Sequence, residues 1–556
     1  MFTSFKGFDL IDKYQKAKKA KAKSQKNSNK KLYKILFVVA VSLVLWFLPS
    51  DCFGIENLTP IEQRVIAIFT FAVLMWILEA IPSWATSVLI IVLLLLTCSD
   101  GGLSFFTENA NTITIEDGEK DKVIGKILDY KSIMACFADP IIMLFIGGFV
   151  LAIAATKSGL DSVLAKALLK PFGTQPKYVL LGFLLVTGVF SMFLSNTATA
   201  AMMLTFLAPV LKALPADGKG KIALAMSIPI AANIGGMGTP IGTPPNAIAL
   251  KYLNDPAGLN MNIGFGDWMM FMLPFTLLIL FIGWFLLVKM FPFKANKIEL
   301  DIKGENKKDW RSNLVKITFI ITILLWMTDK LTGLNANVVA MIPVGVFCAT
   351  GIITRNDLSE INWSVLWMVA GGFALGVALN SSGLAFHLIH SIPFDTWPAL
   401  LVIIGSGLIC YLLSNFISNT ATAALLVPIL AVVGAGMNES LDPLGGVSTL
   451  LIGIAIAASL AMVLPISTPP NALAHATGMI EQKDMVKTGL IMGIVGLIIG
   501  YTMLIVLKPQ PVNYEIKETP IPTELTKDAN YVFPGDTLLL PTEYTTFKID
   551  TIVIKD

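Results

Sequence analysis

The chain has 556 residues, of which 55 % are hydrophobic and only 14 % charged, with a mean hydropathy of +0.72; ordinary soluble domains carry about 25 % charge. That excludes a soluble enzyme, and 41 Lys and Arg against 38 Asp and Glu leave no excess of basic charge for nucleic acid. Five cysteines without a Cys-x-x-Cys and three scattered histidines supply neither a disulfide framework nor a zinc site, so the expected class is an all-α polytopic membrane protein.

Residues 1–34 hold eleven lysines against Asp9 and Asp12 and read as a basic cytoplasmic arm. The apolar stretch from Ile35 to Leu48 follows. Its long basic flank and the lack of a small-residue cleavage site before Asp51 favour a retained first span, with its loop running to residue 60, over a signal peptide. Further spans are expected at 61–80, 84–98, 140–156, 223–250, 266–290, 312–330, 335–353, 364–381, 449–476 and 486–507, giving about eleven transmembrane helices. The linker 291–311 carries Lys294, Lys297, Lys303, Lys307, Lys308 and Arg311, whereas 99–135 and 509–556 are net acidic. Placing the basic set inside a plasma membrane puts the amino terminus in the cytoplasm and the carboxyl terminus outside. An odd number of spans meets that requirement.

Segments 178–211 and 398–435 are apolar runs interrupted by Ser-Asn-Thr. Their arms are mostly short of a bilayer at about 1.5 Å per residue, which predicts re-entrant hairpins. The tail 509–556, rich in Pro, Thr and alternating apolar residues, predicts a small extracytoplasmic β-like appendage or an extended strap. The acidic insertion 99–135 receives no role.

An internal duplication organises the rest. Ser195 to Ala201 recurs unchanged as Ser418 to Ala424, and Pro240 to Ala247 recurs with one difference as Pro465 to Ala472. Gly147-Gly148-Phe149 matches Gly371-Gly372-Phe373, and Ser158-Gly159-Leu160 matches Ser382-Gly383-Leu384, all at offsets of 223 to 225 residues. Compositional bias does not hold one register through four blocks. Each unit, 61–290 and 312–508, then holds five crossings and one hairpin. Five is odd, so the second unit enters the membrane inverted, as in secondary transporters.

The polar tips are expected to bind ligand, because polar groups persist at membrane depth chiefly at sites. The Thr-Pro-Pro-Asn elements predict broken helices, since proline removes a donor and blocks the preceding turn. Unwound carbonyls there can meet Na⁺, and the restarting helix offers free N–H groups to an anion. No Lys or Arg and no Asp or Glu lies within a span near these motifs, which favours an anion accompanied by Na⁺. Glu79 reads as a turn charge and His475 as a helix-end residue. An intramembrane enzyme lacks a nucleophile and base, and a channel lacks a charged ring.

Two Ser-Asn-Thr tips, each followed about 45 residues later by Thr-Pro-Pro-Asn, resemble the divalent anion/sodium symporter family of dicarboxylate, citrate and sulfate carriers over residues 32–508. The resemblance implies a homodimer, a transport domain that moves like an elevator, and a substrate held between the tips. Carried over by motif position, it implies one Na⁺ site at Ser191, Ser195, Asn196 and Gly242 and another at Ser414, Ile417, Asn419 and Ser467. Substrate would meet Ser195, Asn196, Thr197 and Thr243, with Ser418, Asn419, Thr420 and Thr468 from the second unit. Ser467 replaces Gly242, so the two Na⁺ sites need not be equivalent. The implied activity is Na⁺-coupled symport of a C4-type dicarboxylate such as succinate, fumarate or malate, with no organic cofactor. A dicarboxylate exchanger without net Na⁺ flux, or a citrate or sulfate carrier, would use the same residues.

Overall fold

The computed structural model describes residues 29–108, 112–115, 122–214, 219–255, 259–298 and 309–508. Most of the basic arm, much of the linker and the tail 509–556, with the appendage expected there, lie outside the described residues. Nine helices among the described residues are long and apolar enough to cross a membrane, and the chain is an all-α polytopic membrane protein.

Helix α1 (residues 29–47) is followed by α2 (Pro60–Leu78), whose start is fixed by a capping box between Thr59 and Glu62 with proline at the first turn. Gln63 Nε2 donates to the carbonyls of Leu45, Trp46 and Leu48 and so closes the end of α1. Glu79 caps α2 in the left-handed region, at φ 46°. Helix α3 (Ser83–Thr97) has only 15 residues. In the insertion, the strands β1 (Ile113–Ile115) and β2 (Lys122–Ile124) pair antiparallel. Gly125 N then donates to Ser382 O at 2.7 Å, which docks the insertion on the second unit.

The first unit continues through α4 (Pro140–Ser158), the hairpin α5 (Pro176–Phe193) and α6 (Asn196–Ala213), the broken pair α7 (Gly220–Gly235) and α8 (Pro244–Leu253), and α9 (Phe265–Met290). The second contains α10 (Trp310–Met327), α11 (Met341–Ala349), α12 (Trp363–Ser381), the hairpin α13 (Ala399–Ser414) and α14 (Asn419–Gly436), the broken pair α15 (Gly446–Ser459) and α16 (Pro469–Ala476), and α17 (Gln482–Leu507). Hairpin arms of 18, 18, 16 and 18 residues reach about 24–27 Å, and two of them, α5 and α14, are among the nine helices long and apolar enough to cross. The predicted span 335–353 is helical over Ala336–Ala349 only, which is shorter than a full crossing.

Equivalent helices pack crosswise. Helix α3 lies on α12 and α11 lies on α4; likewise α6 lies on α16 and α8 on α14. The contacts are thus reciprocal between the two sequence units. The duplicated glycines serve the crossing: a Cβ on Gly147 would collide with Ala340, and one on Gly371 with Ser87.

Candidate functional site

Ser195 and Ser418 occupy the N-cap positions of α6 and α14, and their hydroxyl oxygens accept from Ala198 N (3.3 Å) and Ala421 N (3.2 Å). The triplet therefore ends one arm, reverses the chain and starts the next helix, leaving first-turn N–H groups for a ligand. Asn196 and Asn419 follow in the first turn. Behind each stands a buried serine: Ser191 Oγ donates to Ala232 O at 2.6 Å, and Ser414 Oγ donates to Ala458 O at 3.0 Å. The two carbonyls belong to equivalent positions near the ends of α7 and α15. Ile417 N closes the end of α13 on Leu413 O at 2.9 Å.

The end of the Asn196 carboxamide that faces inward lies 2.7 Å from Ser191 Oγ and 3.1 Å from each of Ala232 O and Gly242 O. With nitrogen there, it donates to all three oxygens. With Oδ1 there, the single Ser191 hydroxyl proton would have to serve both it and Ala232 O, so the nitrogen-inward orientation is the one that satisfies the turn. Gly242 is glycine because a Cβ there would run into the Gly236 carbonyl.

The breaks are held by the asparagines of the proline motifs. Asn246 Nδ2 donates to the carbonyls of Gly236 (3.0 Å), Met237 (3.3 Å) and Thr239 (2.8 Å). Asn471 Nδ2 donates to Met462 O (2.8 Å) and Leu464 O (3.0 Å). These unwound carbonyls, expected to be open to Na⁺, are thus already met by an amide. The oxygens that face the first tip are Ala232 O and Gly242 O, the latter also within the unwound turn.

The remaining hydroxyls divide between the halves. Thr243 is buried and makes no cap hydrogen bond, whereas Thr468 Oγ1 accepts from Asn471 N at 3.3 Å. Thr197 is exposed and Thr420 is buried. Ser467 Oγ donates to Asn415 O at 2.9 Å. A crevice of about 10 Å³ beside Ser195 is closed by Phe145, Phe149, Phe193 and Ile241, so the Gly147-Gly148-Phe149 motif covers the first tip. The described packing joins each second hairpin arm to the restarting helix of the other half rather than arm to arm.

Asn246, Asn471, Asn415, Thr239 and Asn233 received no sequence-based assignment. The signal for the first two lay in the motifs themselves, since a proline break frees carbonyls that need a donor. Lys251, one residue beyond the expected span, is a cation near the motifs. It pairs with Asp139 at 2.7 Å and lies over the Phe373 ring at 5.7 Å. Both charges line a cavity of about 640 Å³ that extends from the connections around Asn254 and Asn335 to Pro240.

Residues 73–449 match the family model described as citrate transporter, CitMHS. The sodium-dependent dicarboxylate transporter SdcS of Staphylococcus saprophyticus is 28 % identical over 537 residues, covering 90 % of this chain and 96 % of its own. The inorganic phosphate transporter PHO87 of Saccharomyces cerevisiae is 30 % identical over 453 residues, covering 80 % of this chain and 45 % of its own. Among solved structures, the Alcanivorax borkumensis YdaH transporter aligns with a TM-score of 0.53 at 14 % identity, over 76 % of this chain and 98 % of that one.

Proposed function

The chain belongs to the citrate transporter family, within the divalent anion/sodium symporters, and from that premise we propose that it carries a C4-type dicarboxylate into the cell together with Na⁺. The observation that carries this reading is the matched pair of polar tips: at the first, Ser191 Oγ, the Asn196 carboxamide, Ala232 O and Gly242 O converge without any formal charge. A bound Na⁺ would add positive charge beside the first-turn N–H groups of α6, and an anion is favoured where both act together. The second half offers Ser414 and Asn419 in the same geometry, so an anion with two ends suits a site with two tips. Substrate would be held by Ser195, Asn196, Thr197 and Thr243 on one side and by Ser418, Asn419, Thr420 and Thr468 on the other. In this reading the carrier is a plasma-membrane homodimer, its amino terminus is cytoplasmic, and its tips move together across the membrane.

Uptake of labelled succinate by the purified carrier in proteoliposomes tests the proposal. An inward Na⁺ gradient should drive accumulation that an equal K⁺ gradient does not, with fumarate and malate competing. Uptake that ignores Na⁺ but needs internal dicarboxylate would replace symport with exchange. Competition by inorganic phosphate, citrate or sulfate alone would move the substrate to another member of the same anion class.

A further inference from the structure

Asn233 lies at the end of α7, one residue beyond Ala232, and is 1 % exposed. Its carboxamide crosses between the halves: Nδ2 donates to Thr468 Oγ1 at 3.1 Å and to Asn471 Oδ1 at 3.2 Å. The orientation is fixed by chemistry. Asn471 commits its own nitrogen to Met462 O and Leu464 O, so its oxygen faces Asn233 and only a nitrogen can answer it.

The consequence falls on Thr468. Its hydroxyl oxygen accepts from Asn233 Nδ2 and from Asn471 N, which occupies both lone pairs. What remains is the proton, so the hydroxyl can act toward a ligand only as a donor. The first half lacks this device. Ser459 stands where Asn233 does, and its Oγ donates back into its own helix, to Ala455 O at 2.8 Å. Asn246 Oδ1, the equivalent of the acceptor that Asn233 meets, has no hydrogen-bond partner among the described residues. Thr243 correspondingly makes no cap bond. One exchange of side chain, asparagine for serine, makes two otherwise matched threonines unequal.

We infer that Asn233 is a positioning residue for the substrate: by filling the acceptor side of Thr468 it holds that hydroxyl as a fixed donor and makes the second-half end of the site the tighter grip on an ionised oxyanion. This rests on the proposed anion site. A preset donor contributes to binding without reorganisation, whereas a hydroxyl free to rotate spends part of its hydrogen bond on ordering. An anionic end should therefore engage Thr468 first, leaving Thr243 to the other end.

The experiment is labelled succinate uptake at saturating Na⁺ by the full-length carrier in proteoliposomes, with KM and maximal rate measured for wild type, Asn233→Ser, Thr468→Val and the double variant. Asn233→Ser installs the residue that the other half uses, and it should raise KM about tenfold with little change in maximal rate, the size of one hydrogen bond to a charged group. In the Thr468→Val background the same change should add nothing, because the two residues act through one hydroxyl. Ser459→Ala, at the equivalent position of the other half, should leave KM unaltered. Asn233→Ala carries the same test should the serine variant not reach the membrane. Additive effects in the double variant, an unchanged KM in the Asn233 variants, or an equal loss in Ser459→Ala would overturn the inference. Normal transport by Thr468→Val would instead overturn the anion site on which it rests.

Discussion

Thr239 and Ser467 make the same pair of hydrogen bonds from opposite ends of equivalent turns. Thr239 Oγ1 donates to Met192 O and accepts from Gly242 N; Ser467 Oγ donates to Asn415 O and accepts from Leu464 N. The hydroxyl has changed places with its partner position, threonine and glycine in one half becoming leucine and serine in the other. Both breaks are thereby tied to the end of the first hairpin arm. The apparent inequivalence of Gly242 and Ser467 is a reciprocal exchange that preserves one anchor.

Removal of either hydroxyl strands a buried carbonyl, at a cost of about 1–3 kcal/mol; Gly242 N keeps its bond to Thr239 O, whereas Leu464 N loses its acceptor. Thr239→Val and Ser467→Ala should lower the melting temperature of the purified carrier by similar amounts. Grafting serine at Gly242 onto the Thr239→Val variant should not restore it, because the added Cβ meets the Gly236 carbonyl. Recovery by that graft would show the two turns to be interchangeable.

Asn196→Ala and Asn419→Ala each take away the carboxamide that faces a buried serine hydroxyl. Hydrogen bonds to charged groups contribute about 1.5–3 kcal/mol, so the apparent affinity for Na⁺ should fall about tenfold or more. The larger loss is expected at Asn196, where Ala232 O and Gly242 O also converge. Initial uptake rates across a Na⁺ series are the measurement, and unchanged Na⁺ curves in both variants would mark the tips as structural.

Thr197 and Thr420 share a register but not an environment, the first exposed and the second buried. Thr→Val at each position deletes the hydroxyl while keeping the branched shape. Both changes should weaken succinate binding, and the double variant should depart from additivity, since both groups hold one ligand. A silent Thr197→Val beside an inactive Thr420→Val would reduce the site to one tip and a smaller anion.

Outside the membrane-spanning segments, Asp357 Oδ2 accepts from Lys157 Nζ (2.6 Å), Thr354 N (2.7 Å) and Thr354 Oγ1 (2.6 Å). These donors, Lys157 foremost, push the carboxyl down to about 2, below the ordinary aspartate value of about 3.9. A lowered carboxyl contributes stability that is complete above the unfolded value and disappears as pH falls through the folded one. The melting temperature of wild type should decline between pH 4 and pH 2. Asp357→Asn should start lower at pH 7 and show a weaker decline over that window. Lys157 is half exposed, so the effect should stay within about 1 kcal/mol. Parallel pH curves would remove Asp357 from the acid sensitivity.

Orientation is accessible through Cys52, exposed between α1 and α2. In a background with Cys348→Ser, a membrane-impermeant maleimide should label Cys52 from outside intact cells. The variant Lys170→Cys, in the connection after α4, should react only after the membrane is opened. Labelling of both from one side would remove the odd-span topology.

Part of the site was legible because capping and helix-start residues act locally: Pro244 and Pro469 stand at the first turns of the restarting helices, and Ser195 and Ser418 cap helices by their own side chains. The hairpin tips and both breaks follow from such rules, whereas Ser191 and Gly242 were named only through the family resemblance and Ala232 was not named. Asn233 and Thr239 were not legible, because their partners lie 235 and 47 residues away and polarity alone does not say where a side chain reaches. The place of Ala340 in the fold has the same origin. It sits against Gly147, in a crossing that no local pattern at 335–353 announces.

The crosswise packing also sets an order of events during synthesis. Ser87 Oγ meets Met368 O across 281 residues of chain, and α4 finds its partner only once α11 has been made. Neither half can complete its frame alone. The first four helices must wait in the membrane, with glycine-lined faces uncovered, until the third helix of the second half arrives. Contacts so distant in sequence close slowly, and uncovered surfaces invite misassembly meanwhile. A ribosome stalled in the 291–311 linker would therefore leave an intermediate rather than a half-built carrier, and assembly becomes a single late step in which both frames lock together.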